Sequence, residues 1–273
     1  MNTRPTIDHI CAFNDNYIWA LRSGDKLCVV DPGDAAPVIR YAQMHQLTLD
    51  SILITHHHND HIGGVEQLRK HWPDVTIFGP QRCIKPEDTR ASDGDVIACM
   101  GLHFRVIAVP GHTLDHIAYF CEDGFCADET LNQPIVFCGD TLFAGGCGRI
   151  FEGTPAQMFA SLQRLAALPP TTLAYCAHEY TLANLRFALA VEPDNSALQN
   201  RIASDSTKRE KSIPTVPSTL QLETETNPFL RCHSPAVYQA AKAYRQQQGD
   251  KTALPTDDPV ATFAAIRDWK NRF

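Results

Sequence analysis

The 273-residue chain has no run of about 18 apolar residues, so no segment is built to cross a membrane as a helix. Its opening stretch, Met1-Asn2-Thr3-Arg4-Pro5, lacks the apolar core of a secretory leader. Ten cysteines are present, but none form a C-x-x-C pair, and in a chain this long they do not outline a disulfide scaffold. A reducing, cytoplasmic setting is expected, with most thiols packed as small hydrophobes. Cations are the minority charge: 24 Lys and Arg stand against 31 Asp and Glu, a net charge of −7. No basic stripe interleaved with aromatics appears, which argues against nucleic acid as a partner. The most basic short stretch, 207–211, contains Glu210 and reads as a solvated helix face. No repeat of fixed period is present.

Histidine, in contrast, is concentrated. Four of the 12 histidines fall in one six-residue window, His56-His57-His58-Asn59-Asp60-His61, with Thr55 before it and Ile62-Gly63-Gly64 behind it. Imidazole nitrogen and carboxylate oxygen without thiolate suit zinc, iron or manganese used as a Lewis acid, whereas a structural zinc site more often offers cysteine pairs. The window follows the apolar run 51–54 and precedes a helical pattern over 64–72, a strand–loop–helix context in which α/β folds place chemistry. His56 and His58 are two apart and project to one side of an extended segment. Asp60 and His61 are adjacent and cannot do so, which leaves them for a second ion at the loop-to-helix turn. His57 and Asn59 read as loop-packing or outer contacts.

One window does not complete a two-metal site. Three further strand ends carry one ligand-type residue each: His112 in Val109-Pro110-Gly111-His112-Thr113, Asp140 in Cys138-Gly139-Asp140-Thr141, and His178 in Cys176-Ala177-His178-Glu179. Each alone has an ordinary capping role. Repetition of one geometry is what makes them candidate ligands.

The order T-H-x-H-x-D-H, G-H-T, G-D-T and a late lone histidine resembles the metallo-β-lactamase superfamily. More narrowly the chain is similar to the glyoxalase II, or hydroxyacylglutathione hydrolase, family. The narrowing features are Gly139-Asp140-Thr141-Leu142-Phe143, Gly146-Cys147-Gly148-Arg149, Phe151-Glu152-Gly153-Thr154, His178-Glu179-Tyr180-Thr181, Asn227-Pro228-Phe229-Leu230-Arg231, and the early Phe13-Asn14-Asp15-Asn16-Tyr17. The resemblance implies an α+β fold, a four-layer αββα sandwich with a C-terminal all-helical domain. It divides the chain into a metal-binding catalytic domain, 1–177, and a helical glutathione-binding domain, 178–273.

By the same resemblance, His56, His58 and His112 hold one divalent ion, Asp60, His61 and His178 hold the other, and Asp140 bridges them. Asp60 and Asp140 are thereby the catalytic carboxylates. Zinc is the expected metal, with iron or manganese as alternatives. Ions about 3.5–4 Å apart can share a hydroxide, and the implied reaction is its attack on the thioester of S-D-lactoylglutathione, giving D-lactate and glutathione, the second step of methylglyoxal detoxification. Thiolate is a good leaving group, so no side-chain acid is required. Glutathione has two carboxylates, and Arg149, Arg231 and Tyr180 match family contact positions. Two departures stand out: Phe151 replaces a tyrosine, and Cys232-His233-Ser234 offers no lysine after Arg231, so Lys242 or Arg245 are candidate substitutes. Cys147, in the glycine-rich turn, reads as a packing thiol. The expected partner is a small thioester, with no membrane and a monomeric chain. The competing reading is an iron-dependent glutathione-persulfide dioxygenase on the same fold, which needs one metal and not all seven ligands.

Short β-like runs at 26–30, 51–54, 75–78, 104–109, 117–121 and 135–138 alternate with helical patterns at 35–46, 64–72 and 155–168. Met158, Phe159, Leu162 and Leu165 give the last of these one apolar face, behind a Thr154-Pro155 start. After His178 the pattern is helical at 182–191, 196–211, 235–247 and 259–270, broken by an extended segment with Pro214 and Pro217.

Overall fold

A computed structural model describes residues 5–125, 133–250 and 254–273. The opening residues through Arg4, included above in the reading of the amino terminus, lie outside them, as does Cys126. The chain forms two compact units.

The first unit is Met1–Ala108, Asp115–Gly139 and Thr171–His178. One sheet orders β1 (Thr6–Ala12), β2 (Asn16–Ser23), β3 (Lys26–Val30), β4 (Thr48–Leu53), β5 (Thr76–Gly79) and β6 (Thr89–Arg90) as they occur in sequence. The first three pair antiparallel and the rest parallel. Parallel pairing needs crossovers, and α1 (Ala35–His45), α2 (Asn59–Ile62) and α3 (Val65–His71) supply them. Within the same unit the second sheet runs β7 (Val96–Cys99), β8 (Leu102–Ala108), β9 (Ile117–Phe125), β10 (Gln133–Gly139) and β13 (Leu173–Cys176; β11 and β12 belong to the second unit).

Alternation along the strands assigns the faces. Leu27, Val29, Ile52, Ile54 and Ile77 pack with Ala35, Val38, Ala42, Val65 and Leu68 from the helices. The intervening residues face the other sheet: Ser51 Oγ lies 3.0 Å from Cys99 Sγ, and Tyr119 reaches across to donate to the carbonyl of Ile54 at 2.8 Å. Two facing sheets with helices on one side give the expected α+β sandwich. The strands that precede His56 and His178, β4 and β13, are buried at their C-terminal ends, where open sheets collect ligands.

The second unit is Val109–Leu114, Asp140–Pro170 and Glu179–Phe273. It holds the hairpin β11 (Leu142–Phe143) and β12 (Gly146–Cys147), the short β14 (Ser218–Thr219), and helices α4 (Pro155–Ala166), α5 (Thr181–Val191), α6 (Ser196–Glu210), α7 (Leu220–Thr226), α8 (Pro235–Gln247) and α9 (Pro259–Arg272). The expected α4 start is a capping box: Thr154 and Gln157 exchange side-chain and backbone bonds, with Pro155 in the first turn. Met158, Phe159, Leu162 and Leu165 form its buried face. Phe187 stacks on Phe229 with centroids 5.8 Å apart, and Phe263 meets Phe229 edge-on at the same separation. Among the described residues no helix is long and apolar enough to cross a membrane.

Candidate metal centre

The loop after β4 carries the histidine window. The segment is not extended throughout: His61 N–H bonds back to the carbonyl of His58 at 2.9 Å, and residues 59–62 make one helical turn. The helix expected over 64–72 is α3, and α2 is an additional turn before it, separated by Gly63-Gly64. The turn lets the adjacent Asp60 and His61 face one point. Asp60 Oδ2 is 3.5 Å from His61 Nε2 and 3.4 Å from His178 Nε2. These three residues offer ligand atoms all within 4.8 Å of one another. The neighbouring His178 and His61 hold the Asp60 carboxyl well below the usual carboxylate range, against the effect of its partial burial.

Ring orientation is fixed from behind. His178 Nδ1 is 2.8 Å from Asp15 Oδ1, a carboxylate that only accepts, so a proton sits on Nδ1 and Nε2 is the nitrogen on the Asp60 side. His61 Nδ1 lies 3.1 Å from Asp31 Oδ2. Asp31 also accepts from Thr55 N–H at 2.8 Å and from its hydroxyl at 2.7 Å. The Thr55 hydroxyl donates to Asp31, so it accepts from His56 Nδ1 at 3.1 Å. His56 thus also presents Nε2, 3.1 Å from His58 Nδ1. Asn16 donates to Asp60 at 3.2 Å. His57 turns aside to Asp115, 3.1 Å away, as expected for the middle histidine.

Sequence reasoning gives no role to Asp15, Asn16, Asp31 or Thr55. Asp31 ends β3 at a left-handed φ of 53° and is only 5% exposed, a buried carboxylate in a costly conformation. The available signal is Asp31-Pro32-Gly33 directly after an apolar strand. Gly139 closes β10 at φ 48°, and a Cβ there would stand 2.4 Å from the Thr55 hydroxyl and 2.8 Å from the buried His116 ring. Only glycine admits that approach.

In the second unit, His112 Nε2 is 3.4 Å from Asp140 Oδ2, and both are buried. His112 Nδ1 donates to the carbonyl of Arg149 at 2.8 Å, so Nε2 carries the ring's lone pair. The Arg149 side chain is exposed. Tyr180 is 37% exposed and meets Phe143 edge-on at 5.3 Å. Phe151 packs edge-on to His112 at 5.2 Å and is 62% exposed. Arg231 is engaged: Nε and Nη2 grip buried Glu192 at 2.7 and 3.1 Å, and Nη1 donates to the carbonyl of Thr224 at 3.2 Å. Arg245 donates to Asp250 at 2.9 Å. Cys147 is buried, and burial pushes its thiol up although Arg267 opposes the shift. It is a packing thiol.

The donor set suits a divalent ion of the first row. Each unit presents buried imidazole nitrogens beside a carboxylate, and most of the rings have the second nitrogen occupied.

Residues 13–178 match the metallo-β-lactamase superfamily and residues 179–273 match the hydroxyacylglutathione hydrolase C-terminus. The chain is 50% identical to the hydroxyacylglutathione hydrolase of Aeromonas salmonicida, over 98% of its own length and 99% of that protein's. It is 48% identical to that of Photobacterium profundum, over 98% and 99% respectively. The chain belongs to the hydroxyacylglutathione hydrolase family. Among solved structures it resembles ETHE1 from Myxococcus xanthus, with a TM-score of 0.55 and 30% identity over 64% of this chain and 76% of that one. A metallo-β-lactamase from Staphylococcus aureus subsp. aureus COL shares the fold, with a TM-score of 0.61 and 19% identity over 98% of this chain and 71% of that one. The family is one of thioester hydrolases, and near full-length identity to its members favours hydrolysis over the persulfide dioxygenase reading for this hydrolase.

Proposed function

We propose that the hydrolase cleaves S-D-lactoylglutathione to D-lactate and glutathione at a centre of two divalent ions, zinc foremost and iron or manganese as alternatives. The observation that carries this is the convergence of Asp60, His61 and His178, backed by Asp15 and Asp31. In this reading they hold one ion. His56, His58 and His112 hold the other, and Asp140 serves both. Such ions, when bound, acidify water and polarise a carbonyl.

The chain's own residues do the rest. Asp31, Asp15 and the Arg149 carbonyl keep His61, His178 and His112 in the tautomer that leaves Nε2 unprotonated. In this reading Arg149 binds a glutathione carboxylate and Tyr180 contacts the substrate. Arg231 can serve only while shared with Glu192. We assign the metal-binding role to 1–177 and glutathione binding to 178–273; the two family matches meet between residues 178 and 179, which supports that division. A monomeric cytoplasmic enzyme is the corresponding proposal for its setting. The nine cysteines among the described residues are free thiols, which agrees with a reducing compartment.

The deciding experiment is steady-state hydrolysis of S-D-lactoylglutathione by protein whose metal content has been counted. Turnover with close to two equivalents supports the proposal. One iron, no hydrolysis and oxygen uptake on glutathione persulfide would replace it with the dioxygenase.

A further inference from the structure

The hairpin that leads from Asp140 to Arg149 is held by helices far away in sequence. Asn227 donates to the carbonyls of Phe143 at 3.3 Å and Gly146 at 2.8 Å. Asn184 donates to the carbonyl of Ala144 at 3.2 Å, and Glu223 accepts from Gly145 N–H at 2.9 Å. The last carbonyl, that of Cys147, accepts from Arg267 Nη1 on α9 at 2.9 Å. Arg267 is 5% exposed. Its guanidinium lies over the Phe229 ring, 5.0 Å from the centroid, and Nη2 donates to Asn271. A buried cation used to hold one backbone carbonyl is a costly arrangement, so what that carbonyl controls matters.

Beyond Cys147 the chain has little freedom. Gly148 N–H bonds to the carbonyl of Thr141 at 3.2 Å. A Cβ on Gly148 would stand 1.9 Å from the carbonyl oxygen of Asp140 and 3.1 Å from His112 Nδ1. The next carbonyl, of Arg149, is the one that takes the His112 Nδ1 proton. Phe151 N–H and Glu152 N–H then return to the His112 carbonyl at 3.2 and 3.3 Å.

We infer that Arg267 is a positioning residue for the metal centre: by fixing the Cys147 carbonyl it sets the Arg149 carbonyl against His112 Nδ1 and so holds the His112 Nε2 lone pair ready for metal. This rests on the reading of His112 as a ligand. On that reading, the C-terminal helix shapes metal affinity as well as substrate affinity.

The test uses the full chain and compares Arg267→Met, His112→Ala and the double variant, titrating metal-depleted protein with zinc against a chelator. Arg267→Met should weaken one of the two zinc equivalents by up to about tenfold, the low end of the range for losing an outer-shell partner, because Arg267 acts on that partner and not on His112 itself. In the His112→Ala background it should add nothing. Unchanged zinc affinity in Arg267→Met, or an equal loss in both backgrounds, would overturn the inference. A full zinc complement in His112→Ala would instead overturn the ligand assignment. Arg267→Lys keeps a donor for the carbonyl and should recover part of the affinity. Nitrogen-15 NMR of the imidazoles in metal-free protein gives a readout without zinc: His112 should be the Nδ1–H tautomer in the parent chain and mixed in Arg267→Met. Should Arg267→Met not fold, the same signature is read in Arg267→Gln, where an unchanged tautomer also overturns the inference.

Discussion

Glu223→Gln should cost about 3–5 kcal/mol of folding stability, the range for breaking a buried ion pair. Glu223 is fully buried. Its Oε1 accepts from Arg201 Nη2 at 2.6 Å and from the Ser218 hydroxyl, while Oε2 accepts from Gly145 N–H at 2.9 Å and Asn227 Nδ2 at 3.1 Å. Four donors converge on two oxygens. Glutamine keeps one oxygen and turns an amide N–H₂ toward the other two donors. If the oxygen stays with Arg201, then Gly145 and Asn227 face a donor, and the turn 143–147 loses two of its anchors. If it flips, Arg201 loses its strongest partner, although its side chain is 1% exposed and only Asp205 at 3.3 Å remains to share the charge. Two lost bonds of roughly 1–1.5 kcal/mol each plus a stranded donor or cation reach the lower end of the range in either orientation. Equilibrium urea unfolding at neutral pH, followed by tryptophan fluorescence, reads the change as a lower midpoint at constant slope. A loss under about 1 kcal/mol would refute the reasoning, because it would mean that water or a relaxed turn satisfies the two donors left without an acceptor.

Asp31→Asn should weaken metal binding by roughly ten- to a hundredfold through misoriented His61 and Thr55, read by chelator competition; unaltered affinity would remove Asp31 from the site. Arg231→Ala should raise KM and also lower stability, because it leaves the buried Glu192 carboxylate without its bidentate partner; a KM effect alone would show that Glu192 is satisfied elsewhere. Lys270 is held down to about 8 by burial and by the nearby cations of Arg267 and Arg186. Its unfolded value is the ordinary 10.5, so between pH 8 and 10.5 the unfolded chain binds more protons and stability rises with pH in that window. The melting temperature of the parent chain, measured against Lys270→Met, should therefore gain on the variant as pH passes from 8 to 10; a pH-independent difference would contradict the burial argument.

The ligand-type residues were legible because metal chemistry restricts residue choice and four of them sit in one short window. His112, Asp140 and His178 were legible because each follows an apolar strand next to a small residue. The partners behind them were not. Asp15, Asp31 and Arg267 are common residue types whose roles depend on which strand pairs with which. For example, Trp19 donates to the carbonyl of Cys176 and Tyr17 N–H to the carbonyl of Ala177, contacts that bring Asp15 beside His178. No local periodicity encodes a pairing between segments so far apart in the chain. Helix α7 escaped for another reason: its seven residues are too few for a 3.6-residue period to stand out.

The same contrast explains why substrate contacts were harder to judge than ligands. A histidine next to a metal-binding carboxylate has few other uses, whereas an arginine satisfies any buried acid it meets. Arg231 shows this: its position matches the family contact, yet its fork grips Glu192 with the geometry that would suit a glutathione carboxylate. Glu192 caps the end of α5, and its own backbone N–H bonds to the carbonyl of Ala188. On the proposed reading, substrate binding through Arg231 adds a second carboxylate to a guanidinium already paired with Glu192, which weakens its pull. Arg149 is exposed and joined to His112 through its own carbonyl, and no carboxylate among the described residues grips its guanidinium as Glu192 grips that of Arg231. On the proposed reading, the heavier share of carboxylate recognition therefore falls to Arg149.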